Sequence, residues 1–225
     1  MQNRAAVLFD MDGVIFDSER ALRDCWLTLA AAEGLADMTR VYEKCIGVTE
    51  EVTGGVLCAA YGADFPWRDF RRRSTALYRE RHSGGRLPLK PGARELLAAL
   101  RQRGVPVALA SSTRGEMVRL WLEEAGLLGF FDAIVSGDMV RRSKPDPEIF
   151  FMACDTLQVK PAKAYVIEDS FNGVRAAFAG GMHALMVPDL LPPDDEMRAK
   201  AEAIFPTLRE VGEYLLGAEG VLKQF

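Results

Sequence analysis

The second half of the chain alternates short apolar runs with stretches in which apolar residues recur at helical intervals. After Pro91, for example, Ala93, Leu96, Leu97 and Leu100 share one face of a helix. Continuous apolar runs separate these stretches, and such runs are typical of strands buried on both faces. They comprise residues 105–110, 133–135, 164–167 and 183–187. The alternation predicts an α/β fold with a Rossmann-like parallel sheet flanked by helices.

Helix starts are also visible in the sequence. Asp146 and Pro147 are typical of an N-cap and of the first helical position, and they precede an apolar stripe that includes Phe150, Ala153 and Leu157. The sequence therefore predicts a helix that is capped by Asp146.

The first apolar run, residues 5–9, is separated from the rest of the pattern. Between it and Pro91 the spacing is helical, and Leu22, Cys25 and Leu29 fall on one face. An all-helical insert is predicted, which we interpret as a cap domain. The expected division is a catalytic core of residues 1–15 and 89–225 and a cap of residues 16–88.

Length and composition agree with a single core that carries an insert. The 225 residues exceed a typical domain of about 150 but fall short of two. With 49% apolar and 27% charged residues, the composition excludes disordered and fibrous classes. The 28 basic and 32 acidic residues give a net charge of −4, which argues against nucleic acid or an anionic membrane as the main partner.

The sequence predicts a cytoplasmic protein. No run reaches the roughly 18 apolar residues of a membrane span, and Asp10 comes too early for a signal peptide. None of the cysteines belongs to a CxxC pair, so we interpret all four as structural thiols: Cys25, Cys45, Cys58 and Cys154.

Chemically rich segments follow or flank the predicted strands. They are DMDG at residues 10–13, SSTR at 111–114, SKPD at 143–146 and EDS at 168–170. Ligands of open α/β sheets bind at the carboxyl ends of the strands. The carboxylates of Asp10, Asp12, Glu168 and Asp169 would repel one another there without a cation, and oxygen ligands of this kind predict a Mg²⁺ site.

A phosphoryl group is the ligand that these segments suit. The hydroxyls of Ser111 and Ser112 and nearby backbone N–H groups would hold its oxygens, with Lys144 offsetting its charge. Asp10 is the candidate nucleophile, which would form an aspartyl-phosphate. Asp12 is placed to protonate the leaving oxygen and later to activate water.

The same segments resemble the four motifs of the haloacid dehalogenase superfamily, in its branch of capped phosphatases and β-phosphoglucomutases. They read DMDGVIFDSE at 10–19, ASS at 110–112, SKPDP at 143–147 and IEDS at 167–170. The resemblance implies a Rossmann-like core, Mg²⁺, Asp10 as nucleophile and Asp12 as general acid/base. It also implies that the metal is held by the Asp10 carboxylate, the Asp12 carbonyl and Asp169, with Glu168 acting through water.

The chain departs from the motifs of some branches of the superfamily, and these departures distinguish between the activities that the branches have. Asp12 argues against dehalogenases, whose leaving halide needs no proton. In mutases of the family a His stands near the position of Leu22, and basic residues stand near Ile46 and Glu50; this chain lacks all three. Its cap loop at residues 46–50, in which Gly47 is a candidate substrate contact, therefore lacks the groups to hold a second phosphate.

We therefore expect a Mg²⁺-dependent phosphomonoesterase that acts on a small organic phosphate such as a sugar phosphate. Arg114 is a further candidate substrate contact. A β-phosphoglucomutase-like isomerase and a non-catalytic sensor of a phosphorylated ligand are the alternatives. The expected partner is a small phosphorylated metabolite, with neither nucleic acid nor membrane, and a monomer is the working expectation.

Overall fold

The computed structural model describes residues 4–46, 48–218 and 220–224. The chain divides into two compact units. One unit comprises Met1–Asp17 and Leu89–Phe225, and the other comprises Ser18–Pro88.

The core unit, Met1–Asp17 with Leu89–Phe225, is built on a six-stranded sheet with the order β3-β2-β1-β4-β5-β6, and all its pairings are parallel. The strands are β1 (Ala6–Phe9), β2 (Val107–Ser111), β3 (Ala133–Ser136), β4 (Ala164–Glu168), β5 (His183–Met186) and β6 (Ala203–Ile204). The central strand β1 is fully buried, and its Phe9 pairs with Leu109 of β2 and Ile167 of β4. The predicted fold class is confirmed.

The helices are numbered in chain order. In Ser18–Pro88 they are α1 (Ser18–Glu33), α2 (Met38–Glu43), α3 (Glu50–Tyr61) and α4 (Trp67–His82). In the core unit they are α5 (Ala93–Gln102), α6 (Gly115–Glu124), α7 (Glu148–Leu157), α8 (Phe171–Ala179), α9 (Asp195–Lys200) and α10 (Leu208–Leu216). Short 3-10 turns occur at Leu128–Phe130, Gly137–Met139, Pro161–Lys163 and Val221–Gln224.

Helices cover both faces of the sheet. On one face, Phe150 of α7 and Val174 of α8 pack with alternate strand residues such as Leu8 and Val166 in one buried cluster. Side chains alternate along a strand, so the intervening strand residues point to the opposite face. There α5 packs against β2 and α10. Strands that are apolar on both faces therefore match the continuous apolar runs of the sequence.

Several predicted element boundaries were wrong by one or two residues, among them the start of α7 and both ends of β2. The helix α7 begins at Glu148 and its N-cap is Pro147, not Asp146. Asp146 still satisfies the helix start, because its side chain accepts a 3.0 Å bond from the Glu148 N–H. The strand β2 comprises Val107–Ser111, and the N–H of its first residue donates to the Asp132 carboxylate at 2.9 Å.

The Ser18–Pro88 unit packs around an aromatic centre. Trp26 of α1 makes edge contacts with Tyr42 of α2 and Phe70 of α4, at centroid distances of 5.1 and 5.3 Å. All three rings are buried. The edge-to-face arrangement is the one that aromatic quadrupoles favour, and it ties three of the helices of this unit together.

Cysteine chemistry and helix lengths add two findings. All four cysteines are free thiols, and Cys25 and Cys154 are buried.

Throughout the described residues, the helices fall short of the length and apolar character that crossing a bilayer requires.

The chain segments that lead to and from Ser18–Pro88 pair with each other within the core unit. Phe16 and Leu89 form an antiparallel bridge, and the Lys90 N–H donates to the Ile15 carbonyl at 2.9 Å. The Lys90 ammonium also donates to Asp189 at 2.7 Å, with Asp17 at 3.4 Å. The Asp189 side chain is only 2% exposed, so this ion pair is buried.

We predict that Lys90→Met destabilises the protein, because it leaves the buried Asp189 carboxylate without its ammonium. Removing one partner of a buried pair costs about 3–5 kcal/mol. Urea unfolding at neutral pH measures the loss, and Lys90→Met combined with Asp189→Asn should recover part of it. Ordinary surface substitutions change the free energy of unfolding by no more than about 0.5 kcal/mol. A change this small in Lys90→Met would contradict the prediction.

Candidate active site

The sheet topology places the polar segments at one edge. Strand β1 lies between β2 and β4, so the strand order reverses beside it, and ligands of such sheets bind at that point. Asp10 follows β1 directly, Ser111 is the last residue of β2, and Glu168 is the last residue of β4. Parallel strands carry their carboxyl ends to the same edge, so these three side chains converge.

The Lys144 ammonium lies at the centre of the cluster. It donates to Asp10 Oδ1 at 2.5 Å, to Glu168 Oε1 at 2.7 Å and to the Ala110 carbonyl at 2.9 Å. An ammonium has three donors, and each of them meets an acceptor here. The Lys144 side chain is 6% exposed, so these contacts are shielded from water.

Burial dominates the electrostatics of Asp10. It raises the pKa of Asp10 to about 8 against the opposing charge of Lys144, and the charges of Glu168 and Asp12 raise it further. Burial alone would lower the pKa of Lys144, but the Asp10 and Glu168 carboxylates outweigh burial and raise it. The cluster thus holds more negative charge than one lysine neutralises, and it favours a further cation.

Glu168 is held by donors on both carboxylate oxygens. While Oε1 accepts from Lys144, Oε2 accepts from the N–H groups of Asp169 and Ser170 at 3.1 Å each and from the Ser170 hydroxyl at 2.9 Å. The Ser170 hydroxyl in turn caps α8 by accepting the Gly173 N–H at 3.0 Å. The start of α8 therefore fixes the glutamate that holds the lysine.

Glycines allow the backbone to approach these carboxylates closely. A Cβ atom on Gly173 would lie 1.9 Å from the Glu168 carboxyl carbon, and one on Gly13 would lie 2.2 Å from Asp169 Oδ2. Gly13 also has a φ of +76°, a region that other residues rarely adopt. Both positions require glycine if the carboxylates are to keep their places.

The carboxylates of Asp10, Glu168 and Asp169 form a group that suits a metal ion. Each offers an oxygen, and these oxygens lie within 4.8 Å of one another. Oxygen donors of this kind fit a hard divalent cation such as Mg²⁺. The Asp12 carboxylate is not part of this group.

Asp12 has a different partner. Its Oδ2 accepts a 2.9 Å hydrogen bond from the Thr113 hydroxyl, in the loop after β2. The neighbouring Ser111 hydroxyl is buried and accepts the Thr113 N–H at 3.1 Å. Ser111 thus shapes this loop as well as lying at the edge of the sheet.

The remaining candidate residues that the structure describes are not among those that contact Lys144, Asp10 or Glu168 in the cluster. Ser112 and Arg114 are exposed, and Arg114 is the N-cap of α6 without a side-chain cap bond. Gly47 lies outside the described residues. The ligand role of the Asp12 main-chain carbonyl and the substrate contacts of Ser112, Arg114 and Gly47 stay predictions.

Sequence reasoning missed three supporting residues. Thr113 lies within the motif SSTR, but no pattern indicates that its hydroxyl reaches Asp12. Ser170 and Gly173 follow the acidic pair, and their roles depend on the helix that starts there. A serine followed three residues later by glycine at a predicted helix start was the available signal, and it is a weak one.

Comparison with known proteins gives consistent matches. The model of the haloacid dehalogenase-like hydrolase family matches residues 5–181. A phosphorylated carbohydrates phosphatase from Thermotoga maritima is 32% identical over 180 residues, covering 80% of this chain and 83% of that protein. Hexitol phosphatase B from Escherichia coli is 29% identical over 215 residues, covering 92% and 93%.

A solved structure matches equally well. It is that of a HAD family hydrolase from Deinococcus radiodurans with bound phosphate and sodium, and it superposes with a TM-score of 0.81 at 30% identity. The match covers 94% of this chain and 95% of that one.

We predict that Gly173→Ala destabilises the protein, because the added methyl group displaces the Glu168 carboxylate. Overpacking of this kind costs about 1–3 kcal/mol. The matched control is Gly55→Ala within α3, where a Cβ meets nothing within 4 Å and helix propensity favours alanine by roughly 0.5–1 kcal/mol. Urea unfolding of both variants checks the difference, and equal stabilities of the two would refute it.

Proposed function

The chain belongs to the haloacid dehalogenase-like hydrolases, as its motifs predict, and we propose that it is a Mg²⁺-dependent phosphatase of small phosphorylated metabolites. The observation that carries the proposal is the buried cluster in which Lys144 joins Asp10 and Glu168 beside Asp169. Such a cluster offers a carboxylate nucleophile, positive charge and metal ligands within one site. The relatives described above are named as phosphatases.

Asp10 acts as the nucleophile in this proposal. One of its carboxylate oxygens bonds to phosphorus while the ester P–O bond breaks, and Asp12 gives its proton to the departing oxygen. In the second half-reaction a water oxygen bonds to phosphorus, its proton passes to Asp12, and the bond between phosphorus and Asp10 breaks. Both half-reactions conserve protons, so Asp12 ends in its starting state.

The Asp10, Glu168 and Asp169 carboxylates fit Mg²⁺, with the Asp12 carbonyl as a further oxygen donor. When bound, the ion supplies positive charge that offsets the repulsion between the Asp10 carboxylate and a phosphate dianion. Both Glu168 oxygens already accept protein hydrogen bonds. Glu168 would therefore act chiefly by holding Lys144, and the family resemblance implies that it would contact a bound ion through water.

The hydroxyls of Ser111 and Ser112 hold the oxygens of the phosphoryl group that is transferred. Because the Ser111 oxygen already accepts the Thr113 N–H, its own O–H can donate to a phosphoryl oxygen. Lys144 balances the charge that develops on the phosphoryl group. Arg114, which is exposed at the start of α6, contacts a distal part of the substrate.

The substrate class is a sugar or polyol phosphate. The named relatives act on phosphorylated carbohydrates and hexitol phosphates, according to their names. The helical unit Ser18–Pro88 acts as a cap that selects the substrate, with the loop around Gly47 contributing. A cytoplasmic location and a monomeric state complete the proposal.

We predict that Asp10→Asn lowers turnover of p-nitrophenyl phosphate by at least about a thousandfold, because it removes the nucleophile. EDTA should abolish activity of the parent enzyme and Mg²⁺ should restore it. The exposed Asp155→Asn variant is the matched control and should keep parental activity. Full activity of Asp10→Asn with a folded circular dichroism spectrum would sink the mechanism.

A second prediction separates hydrolysis from isomerisation. Given β-glucose 1-phosphate, the enzyme should release inorganic phosphate, because this chain lacks the basic cap residues that hold a second phosphate in mutases. A coupled assay with glucose 6-phosphate dehydrogenase reports isomerisation. NADPH formation without release of phosphate would instead establish the mutase alternative.

A further inference from the structure

Resting on the proposed function, we propose that Thr113 is the positioning residue of the general acid/base Asp12. Its hydroxyl donates to Asp12 Oδ2 at 2.9 Å, joining the loop after β2 to the turn after β1. The two residues are 101 positions apart in the chain, so the contact depends on the pairing of these two strands.

The backbone of Thr113 is fixed on both sides. Its N–H donates to the Ser111 hydroxyl at 3.1 Å, and its carbonyl accepts the Gly137 N–H at 3.0 Å. A Cβ on Gly137 would lie 2.2 Å from the Ser112 carbonyl oxygen, so the loop packs directly on the end of β3. The position of the Thr113 hydroxyl is therefore set by two strands rather than by a mobile loop.

The Thr113 hydroxyl contributes to the orientation of the Asp12 carboxylate. Asp12 lies in the turn between β1 and Gly13, two residues from Asp10, and the two carboxylates repel each other because they carry like charge. Repulsion alone drives the two carboxylates apart without fixing where Asp12 points. A donor within hydrogen-bond distance selects one orientation.

A hydroxyl suits a group that changes its protonation state during the reaction. It donates to a carboxylate and accepts from a carboxylic acid, so it can stay bonded to Asp12 before and after proton transfer. An ammonium or guanidinium only donates and would favour the ionised form throughout. Thr113 therefore orients Asp12 without committing it to one protonation state.

The test compares leaving groups in three esters of similar shape: p-nitrophenyl, phenyl and benzyl phosphate. The p-nitrophenolate ion leaves without a proton, whereas benzyl alcohol leaves only when its oxygen is protonated. We expect Thr113→Val to lower kcat/KM for benzyl phosphate about tenfold more than for p-nitrophenyl phosphate, the size expected for losing a hydrogen bond to a charged group. Thr113→Ser keeps the hydroxyl and should restore the parental ratio.

A second readout follows the other half-reaction. Asp12 accepts the proton of the attacking water, so Thr113→Val should slow hydrolysis of the aspartyl-phosphate. Rapid mixing with p-nitrophenyl phosphate should then show a burst of p-nitrophenol followed by slower turnover. Thr156→Val, at an exposed threonine near the end of α7, is the matched control and should change neither readout.

The outcomes distinguish this inference from the proposed function. Equal losses for all three esters in a folded Thr113→Val, or no recovery in Thr113→Ser, would overturn the role of Thr113 alone. A parent enzyme that hydrolyses none of the esters with Mg²⁺ would overturn the proposed function, and this inference with it.

Discussion

The three hydrogen bonds of the Lys144 ammonium hold the candidate site together. Their acceptors come from the end of β1, from β2 and from the end of β4, so the parallel register of these strands sets the distances that one lysine spans. Buried carboxylates are costly unless they are paired. The Lys144 ammonium therefore offsets the free-energy cost of burying acidic groups at the sheet edge. The sheet in turn keeps those groups close enough for one ammonium to bind them all.

The second constraint is that the backbone must approach the buried carboxylates closely. It follows from the pairing of these carboxylates with Lys144. The carboxylates that surround Lys144 need donors and room, and both come from the main chain. The N–H groups at the start of α8 bind Glu168, while Gly173 and Gly13 leave the space that Glu168 and Asp169 occupy. Side-chain chemistry and the placement of glycine are thus parts of one arrangement, in which an added methyl group displaces a carboxylate.

The fold class and the convergence of Asp10, Lys144 and Glu168 could be predicted, because both follow from strand periodicity and from the rule that parallel strands end at one edge. The α7 boundary was wrong by one residue, since Asp146 bonds the Glu148 N–H from one position further out. The Thr113 bond to Asp12 was beyond prediction. It depends on ångström-scale placement of two loops, which residue type and spacing do not determine.

The two aspartates after β1 differ in what holds them, and this difference supports the separate roles that we propose for them. Burial raises the pKa of Asp10, and the neighbouring Lys144 ammonium opposes this by favouring the ionised form that the proposed nucleophile requires. Asp12 meets a hydroxyl, which tolerates both protonation states. Neighbouring carboxylates in one site take separate roles when their surroundings treat their charges differently. Lys144 and Thr113 therefore give two identical side chains different surroundings, which is what the proposed mechanism requires of them.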